Sequence, residues 1–168
     1  MKVEKIAQFM KVSRERFEAD WKLDAPCDYD AIRLPKRATS GSAGYDFYSP
    51  VDFELKPGEF IQIPTGIRAR MDAGWVLLIA PRSGQGFKYR VQLYNTLGVI
   101  DADYFGAANE GHIQLKIVNA NEEGRVFAVR KGEAVAQGIF VPFGITVDDD
   151  ASEIRIGGFG STSEGAAR

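Results

Sequence analysis

The chain has 168 residues and a mass of 18.5 kDa, enough for one sizeable core and too little for two ordinary domains. Its 21 basic and 23 acidic side chains leave a net charge of −2, which argues against a dedicated nucleic-acid surface. A single cysteine, Cys27, and a single histidine, His112, exclude an intrachain disulfide and a Cys/His zinc site, so any catalysis rests on carboxylates, arginines, hydroxyls, backbone amides or a hard metal ion.

Residues 1–30 read as a charged N-terminal extension, with a short strand near Val3 to Phe9 and a helical turn through Ser13 to Lys22. The start has no continuous apolar stretch of the kind a signal peptide needs. Phe17 and Trp21 stand four apart and share one helical face, expected to pack on the body; an apolar partner protein is the alternative. From Ile32 the pattern turns to period two. Strands are expected over Val51 to Leu55, Phe60 to Ile63, Gly66 to Arg70, Gly74 to Ala80, Lys88 to Tyr94, His112 to Val118, Arg125 to Val129 and Ala134 to Pro142. Turns separate them at Lys56 to Glu59, Asn119 to Gly124 and Arg130 to Glu133. Many short strands with Gly, Pro and Asn punctuation predict an all-β barrel or sandwich. The longest apolar run, Trp75 to Ala80, has six residues against the ~20 of a membrane span, so no membrane is expected. With one lone thiol, a cytoplasmic location is expected. The end, Gly157 to Gly165, holds four glycines, two serines and a threonine around one aromatic, Phe159, and reads as a flexible arm.

Five segments interrupt the strands with chemically loaded residues. Ser42-Ala43-Gly44-Tyr45-Asp46 is small until its carboxylate, allowing a close approach. Pro81 to Gly86 reads as a glycine-bearing loop in which the Arg82 fork, the Ser83 hydroxyl and the amide of Gly84 suit phosphate oxygens. In Asn95 to Gly106, Asn95 and Gly98 suggest a hairpin turn between the strand ending at Tyr94 and the one holding Val99 and Ile100. Exposed hairpin backbone offers a donor and an acceptor to a flat base, and Asp101 follows directly. Asp103 alternates to the other face and reads as structural. Gln137 is a polar break in the apolar strand of the fourth segment, Gly132 to Gly138, and needs a partner. The fifth is Gly157 to Thr162.

In this order and spacing the segments resemble the five motifs of the homotrimeric dUTPases, over roughly residues 33–165. The resemblance implies a distorted, jelly-roll-like β-barrel, a single domain over 1–168, and a homotrimer whose sites combine motifs from different subunits. It implies Mg²⁺-dependent hydrolysis of dUTP to dUMP and diphosphate, limiting the dUTP pool and supplying dUMP for thymidylate synthesis. By the same resemblance Asp101 is the general base for water attacking the α-phosphorus. Arg82, Ser83 and Gly84 grip the α- and β-phosphates, and Gln137 points to the phosphate arm. Asn95, Gly98, Val99 and Ile100 read uracil, whose 2-oxo, 3-imino, 4-oxo edge cytosine cannot mimic. Tyr104 stacks under the deoxyribose and leaves no space for a 2′-hydroxyl. Asp46 reaches the magnesium ion through water, the ion being held mainly by phosphates. In the arm, residues 157–168, Phe159 stacks on uracil in a neighbouring subunit, while Gly160, Ser161 and Thr162 close on the γ-phosphate.

Two features depart from the family. Arg155, its γ-phosphate residue, stands one position closer to the paired glycines than usual, and Ala107 to Gly111 looks inserted where a strand ordinarily resumes. Two rival readings stand beside hydrolysis. A dCTP deaminase shares the fold and the Arg-Ser segment, but needs a glutamate where Gly111-His112-Ile113-Gln114-Leu115-Lys116 carries Lys116. A non-catalytic nucleotide- or partner-binding trimer is the other, and the intact Asp101 argues against it. Asp148-Asp149-Asp150 reads as a solvated loop.

Overall fold

A computed structural model describes residues 4–153, 155 and 157. Among the described residues twelve short strands follow in order: β1 Ala7–Lys11, β2 Lys36–Arg37, β3 Tyr45–Tyr48, β4 Phe53–Leu55, β5 Phe60–Pro64, β6 Ile67–Met71, β7 Trp75–Ala80, β8 Val91–Leu93, β9 Gly98–Ile100, β10 Gln114–Asn119, β11 Phe127–Val129 and β12 Ala134–Pro142. Two seven-residue helices, α1 Arg14–Asp20 and α2 Ser83–Tyr89, and a 3₁₀ turn over Ala102–Gly106 complete it. The all-β expectation holds.

The strands form four antiparallel sheets, in the orders β2-β3-β12-β7-β9, β5-β10-β8, β1-β6 and β4-β11. The barrel is therefore broken at its seams and not a continuous ladder. Alternation decides what faces inward: along β10, Leu115, Ile117 and Asn119 are buried while Gln114, Lys116 and Val118 are partly exposed. Phe47, Ile63, Leu77, Ile79, Ile100, Ile113 and Ile117 make the centre of the core. β12 passes between β3 and β7 because Gly138 lacks a side chain. A Cβ there would come within 2.8 Å of Leu77 Cδ1 and 2.9 Å of Phe47 Cε2. No helix among the described residues is long and apolar enough to cross a membrane.

Three local expectations are corrected. The first strand runs Ala7–Lys11, later than Val3 to Phe9, because it takes its register from β6 and seats Phe9 against Tyr45, Phe47 and Phe140 at 5.3–5.6 Å. Lys88 and Tyr89 close α2 and do not begin a strand. Two glycines cost a seven-residue helix ~1 kcal/mol each, so its stability comes from elsewhere. Gln85 Nε2 donates to the Ala134 carbonyl at 2.7 Å, Arg125 Nη1 donates to the Lys88 carbonyl at 3.0 Å, and Arg90 ends the helix in the left-handed region at φ 52°. Finally, β8 and β9 do not pair with each other. They are edge strands of different sheets, so the Asn95–Leu97 turn joins two sheets instead of closing one hairpin.

The N-terminal extension packs on the body. Ser13 caps α1 by accepting from the Arg16 N–H at 3.0 Å, and Phe17 is buried beside Trp21, Tyr29 and His112. The helix ends on a buried polar pair. His112 Nε2 accepts the Gly66 N–H at 2.8 Å, so the proton of the neutral ring sits on Nδ1 and is donated to Asp20 Oδ2 at 2.6 Å. Burial holds the His112 pKa below its ordinary 6.5, against the opposing pull of the Asp20 carboxylate; Arg16 lowers it further and Glu110 raises it.

Two outcomes follow. Because the unfolded chain takes up this proton more readily, stability is full above pH 6.5 and declines as pH falls below it toward the folded pKa. The melting temperature is expected to fall more steeply from about pH 7 to about pH 5.5 in the wild type than in H112Q, and equal slopes would contradict the assignment. Gly138→Ala is expected to destabilise the fold by ~1–3 kcal/mol through overpacking, read as a lowered melting temperature.

Candidate active site

One end of the five-stranded sheet collects the first polar cluster. The registers align Asp46 of β3 with Gln137 of β12, and Gln137 with Ala80 of β7. The chain leaves β7 through Pro81, and Arg82 turns back across the sheet so that its Nε meets Asp46 Oδ1 at 3.0 Å. Gln137 Nε2 donates to the Pro81 carbonyl at 3.1 Å, which is the partner its position in an apolar strand requires. Gly44 makes room for that amide: a Cβ there would stand 2.7 Å from Gln137 Oε1. Ser83 and Gly84 are exposed at the start of α2, where the first helical N–H groups have no intrahelical acceptor. Hydroxyl, amides and guanidinium thus face one end, a set suited to phosphate oxygens.

No group of three or more His, Cys, Asp or Glu side chains that could hold a metal ion occurs among the described residues. A lone carboxylate at Asp46, its side chain 17% exposed, fits a magnesium ion that keeps its waters and takes other ligands from a polyphosphate, not a protein cage.

Beside this end lies the Asn95–Leu97 turn. Thr96 adopts φ 69°, its N–H donates to the Leu93 carbonyl at 2.9 Å, and the Leu97 N–H donates to the Asn95 carbonyl at 2.7 Å. The turn borders a narrow crevice between the two edge strands, lined by Leu93, Asn95, Gly98, Ile100, Gln114 and Lys116 among others. Gly98 is buried against Ile79, Val99 is half exposed and Ile100 is buried. An edge strand leaves backbone donors and acceptors outside its ladder, which is what a planar base needs.

The second cluster follows β9. Asp101 precedes the 3₁₀ turn, and its Oδ2 accepts from Arg155 Nη2 at 2.6 Å. Asp103 Oδ1 accepts from Arg155 Nε at 3.0 Å. Asp103 was expected on the opposite face. The correction is that Asp101 and Asp103, two residues apart at the 3₁₀ turn, both meet the same guanidinium, and even an extended strand would place positions i and i+2 on one face. The Arg155 guanidinium stands 5.6 Å from the Tyr104 ring centre. Tyr104 is buried, donates its hydroxyl proton to the His112 carbonyl at 2.9 Å and accepts from Asn109 Nδ2 at 2.7 Å. Burial raises its pKa, against the lowering effect of the Asn109 bond, so the hydroxyl stays protonated.

The two clusters occupy opposite ends of β7. Gly98 lies across from Ile79 and Ile100 across from Leu77, which sets Asp101 beside Val76. Ala80, where β7 ends, is four residues further along, about 13 Å at the usual strand rise, and Arg82 lies beyond it. The structure thus gathers Asp46, Arg82 and Gln137 at one end, and Asp101, Tyr104 and Arg155 at the other, within one chain. Phe159, Gly160, Ser161 and Thr162 lie outside the described residues. Reading residue types along the chain missed the Arg155–Asp103 pair and the Asn109–Tyr104 bond. The latter had a local signal, since Asn109-Glu110-Gly111 is an Asn-x-Gly turn sequence.

The profile of the dUTPase family matches residues 30–163. The deoxyuridine 5′-triphosphate nucleotidohydrolase of Lactococcus lactis is 44% identical over 134 residues, 78% of this chain and 88% of its own length. That of Paraburkholderia phytofirmans is 41% identical over 140 residues, covering 79% and 90%. The crystal structure of the Streptococcus mutans dUTPase superposes with a TM-score of 0.62 at 32% identity, over 84% of this chain and 98% of that one. A D95N mutant dUTPase of Staphylococcus aureus phage phi11, whose structure details the coordination of a structural Mg(II) ion, shares the fold at 21% identity and a TM-score of 0.61, over 89% and 98%. With motif order, fold and these matches in agreement, the chain belongs to the dUTPase family.

Proposed function

We propose that the chain hydrolyses dUTP to dUMP and diphosphate, with Asp101 as general base for water attacking the α-phosphorus, in sites shared by the subunits of a homotrimer. Asp101 carries the reading. It is a carboxylate half open to solvent, one strand length beyond a turn whose backbone suits a planar base. Base at the turn and phosphorus at Asp101 are then about 10 Å apart, the reach of a nucleoside.

In this reading Asn95, Gly98, Val99 and Ile100 bind uracil, and Tyr104 underlies the sugar. Arg82, Ser83, Gly84 and Gln137 hold the phosphate chain. Arg155 stands against Asp101 and over Tyr104, in the space assigned to sugar and α-phosphate. Substrate entry therefore exchanges two carboxylates for phosphate as its partner, which frees Asp101 to accept a proton from water. Phe159, Gly160, Ser161 and Thr162 then close over the base and γ-phosphate, excluding bulk water. Asp46 would hold a hydrated Mg²⁺, which would supply charge neutralisation on the triphosphate.

The placement of Arg82 past one end of β7 and of Asp101 beside the other supports the trimer. Both are assigned to the α-phosphate, and one chain cannot bring them to a single phosphorus atom. The reading includes one catalytic domain, with residues 1–30 as an extension, 157–168 as an arm over a neighbouring site, and a cytoplasmic setting where free nucleotides are made and used. Deamination is disfavoured: the Lys116 ammonium stands 4.3 Å from the Phe60 ring centre and 3.9 Å from that of Tyr94, and a cation there offers no carboxylate proton shuttle.

Diphosphate release from dUTP is the direct assay, and in ¹⁸O-water the label is expected in dUMP and not in diphosphate. Asp101→Asn is expected to lower kcat by ~10²–10⁴-fold with dUTP binding nearly intact. Retention of more than about half the wild-type kcat would remove Asp101 from the mechanism. Light scattering at micromolar concentration is expected to report three chains per particle; a fully active 18.5 kDa monomer would contradict the shared site.

A further inference from the structure

The mechanism above leaves helix α1 and the inserted Ala107–Gly111 segment without a task. Both lead to Tyr104. The profile match begins at residue 30, so α1 lies outside the family-matched region. Yet its two ends grip the two sides of the segment that holds the Tyr104 hydroxyl. At the N-terminus of α1, the Ser13 N–H and hydroxyl donate to the Glu110 carboxylate at 2.8 and 2.6 Å. At its C-terminus, Asp20 accepts from His112 at 2.6 Å.

Between these anchors Asn109 does two things. Its Oδ1 accepts the Gly111 N–H at 3.3 Å, which closes the turn, and its Nδ2 donates to the Tyr104 hydroxyl at 2.7 Å. The turn has little freedom to shift. Glu110 and Gly111 both have positive φ, 59° and 68°, and a Cβ at Gly111 would lie 2.6 Å from the Tyr104 carbonyl oxygen. Arg68 braces the other side: it ion-pairs with Glu110 at 3.6 Å, donates to the Phe105 carbonyl at 2.8 Å and lies over the Phe105 ring. The Glu110 pKa is lowered, first by its bond from the Ser13 hydroxyl, so this anchor stays ionised at neutral pH.

We propose that α1 and the Asn109–His112 turn form a clamp that sets the position of Tyr104, and that Asn109 is a positioning residue for discrimination between deoxyribo- and ribonucleotides. The inference rests on the hydrolase reading, in which the Tyr104 ring underlies the sugar. A ring whose hydroxyl is held by both Asn109 and the His112 carbonyl resists a 2′-hydroxyl more than one that keeps the His112 bond alone. The effect is therefore on the ratio of kcat/KM for dUTP to that for UTP, not on the chemical step at Asp101.

Asn109→Ser tests this. Serine keeps an acceptor for the Gly111 N–H but is too short to reach Tyr104. Its dUTP:UTP ratio is expected to fall roughly three- to tenfold, the scale of one buried hydrogen bond, while kcat for dUTP changes much less. In a Tyr104→Phe background the same substitution is expected to change the ratio no further, because the shared hydroxyl is already gone. Asp20→Ala is expected to lower the ratio in the same direction and Asp20→Asn, which retains an acceptor for His112 Nδ1–H, to restore it. If Asp20→Ala does not fold, the Asn109 and Tyr104 cycle decides alone. An unchanged ratio in N109S, or independent multiplying effects in the cycle, would overturn the inference while leaving dUTP hydrolysis standing. Absence of dUTP turnover in the wild type would overturn both.

Discussion

The register of β7 between β12 and β9 is the constraint on which the site depends. An antiparallel strand paired on both edges, with one face buried, cannot slip by one residue without turning its side chains to the wrong face. Leu77 and Ile79 face the core, so the register is held by the packing itself. That register fixes Asp46, Gln137 and the Arg82 turn at one end of the strand and Asp101 at the other. Separation of the Arg82 end from Asp101 is thus a consequence of core packing. In the proposed trimer, assembly of chains resolves it, since a second copy can bring its own Asp101 to the Arg82 end of the first.

The ion pairs fit the same division. Arg82 with Asp46 and Arg155 with Asp101 and Asp103 are partly exposed, and such pairs contribute little to stability. Their weakness suits groups that must change partners when a triphosphate arrives. The buried contacts are of another kind. His112 and Tyr104 are almost wholly enclosed, and breaking either leaves polar groups without partners at a cost of ~1–3 kcal/mol each. Exchangeable pairs therefore sit at the surface of the site, and a rigid network lies behind it.

Much of the local chemistry was legible along the chain. Ala134 to Pro142 was expected as a strand and is one, because apolar residues flank a single glutamine and a proline ends it. The Asn95 to Gly106 and Arg82 to Gly84 segments stood out by residue type. What escaped depends on partners distant in sequence. The glycines of Ser83–Tyr89 speak against a helix, and Ala134 and Arg125 supply what they lack. Asp103 meets Arg155, 52 residues further along the chain, a partner that no local pattern announces. Glu110 and Ser13 are 97 residues apart, so no local pattern joins them. The sheet boundaries, which turn an expected hairpin into a link between sheets, likewise come only from pairing across the fold.

Complementation between two inactive variants tests the shared site most directly. Chains carrying Arg82→Ala and chains carrying Asp101→Asn, each inactive alone, are mixed and refolded together. If the phosphate grip and the base come from different subunits, random assembly leaves about a quarter of the sites with both groups intact, and dUTP hydrolysis is expected to return to about that fraction of the wild-type rate. If both groups serve the same site from one chain, every site lacks one of them and no activity returns, which would contradict the account.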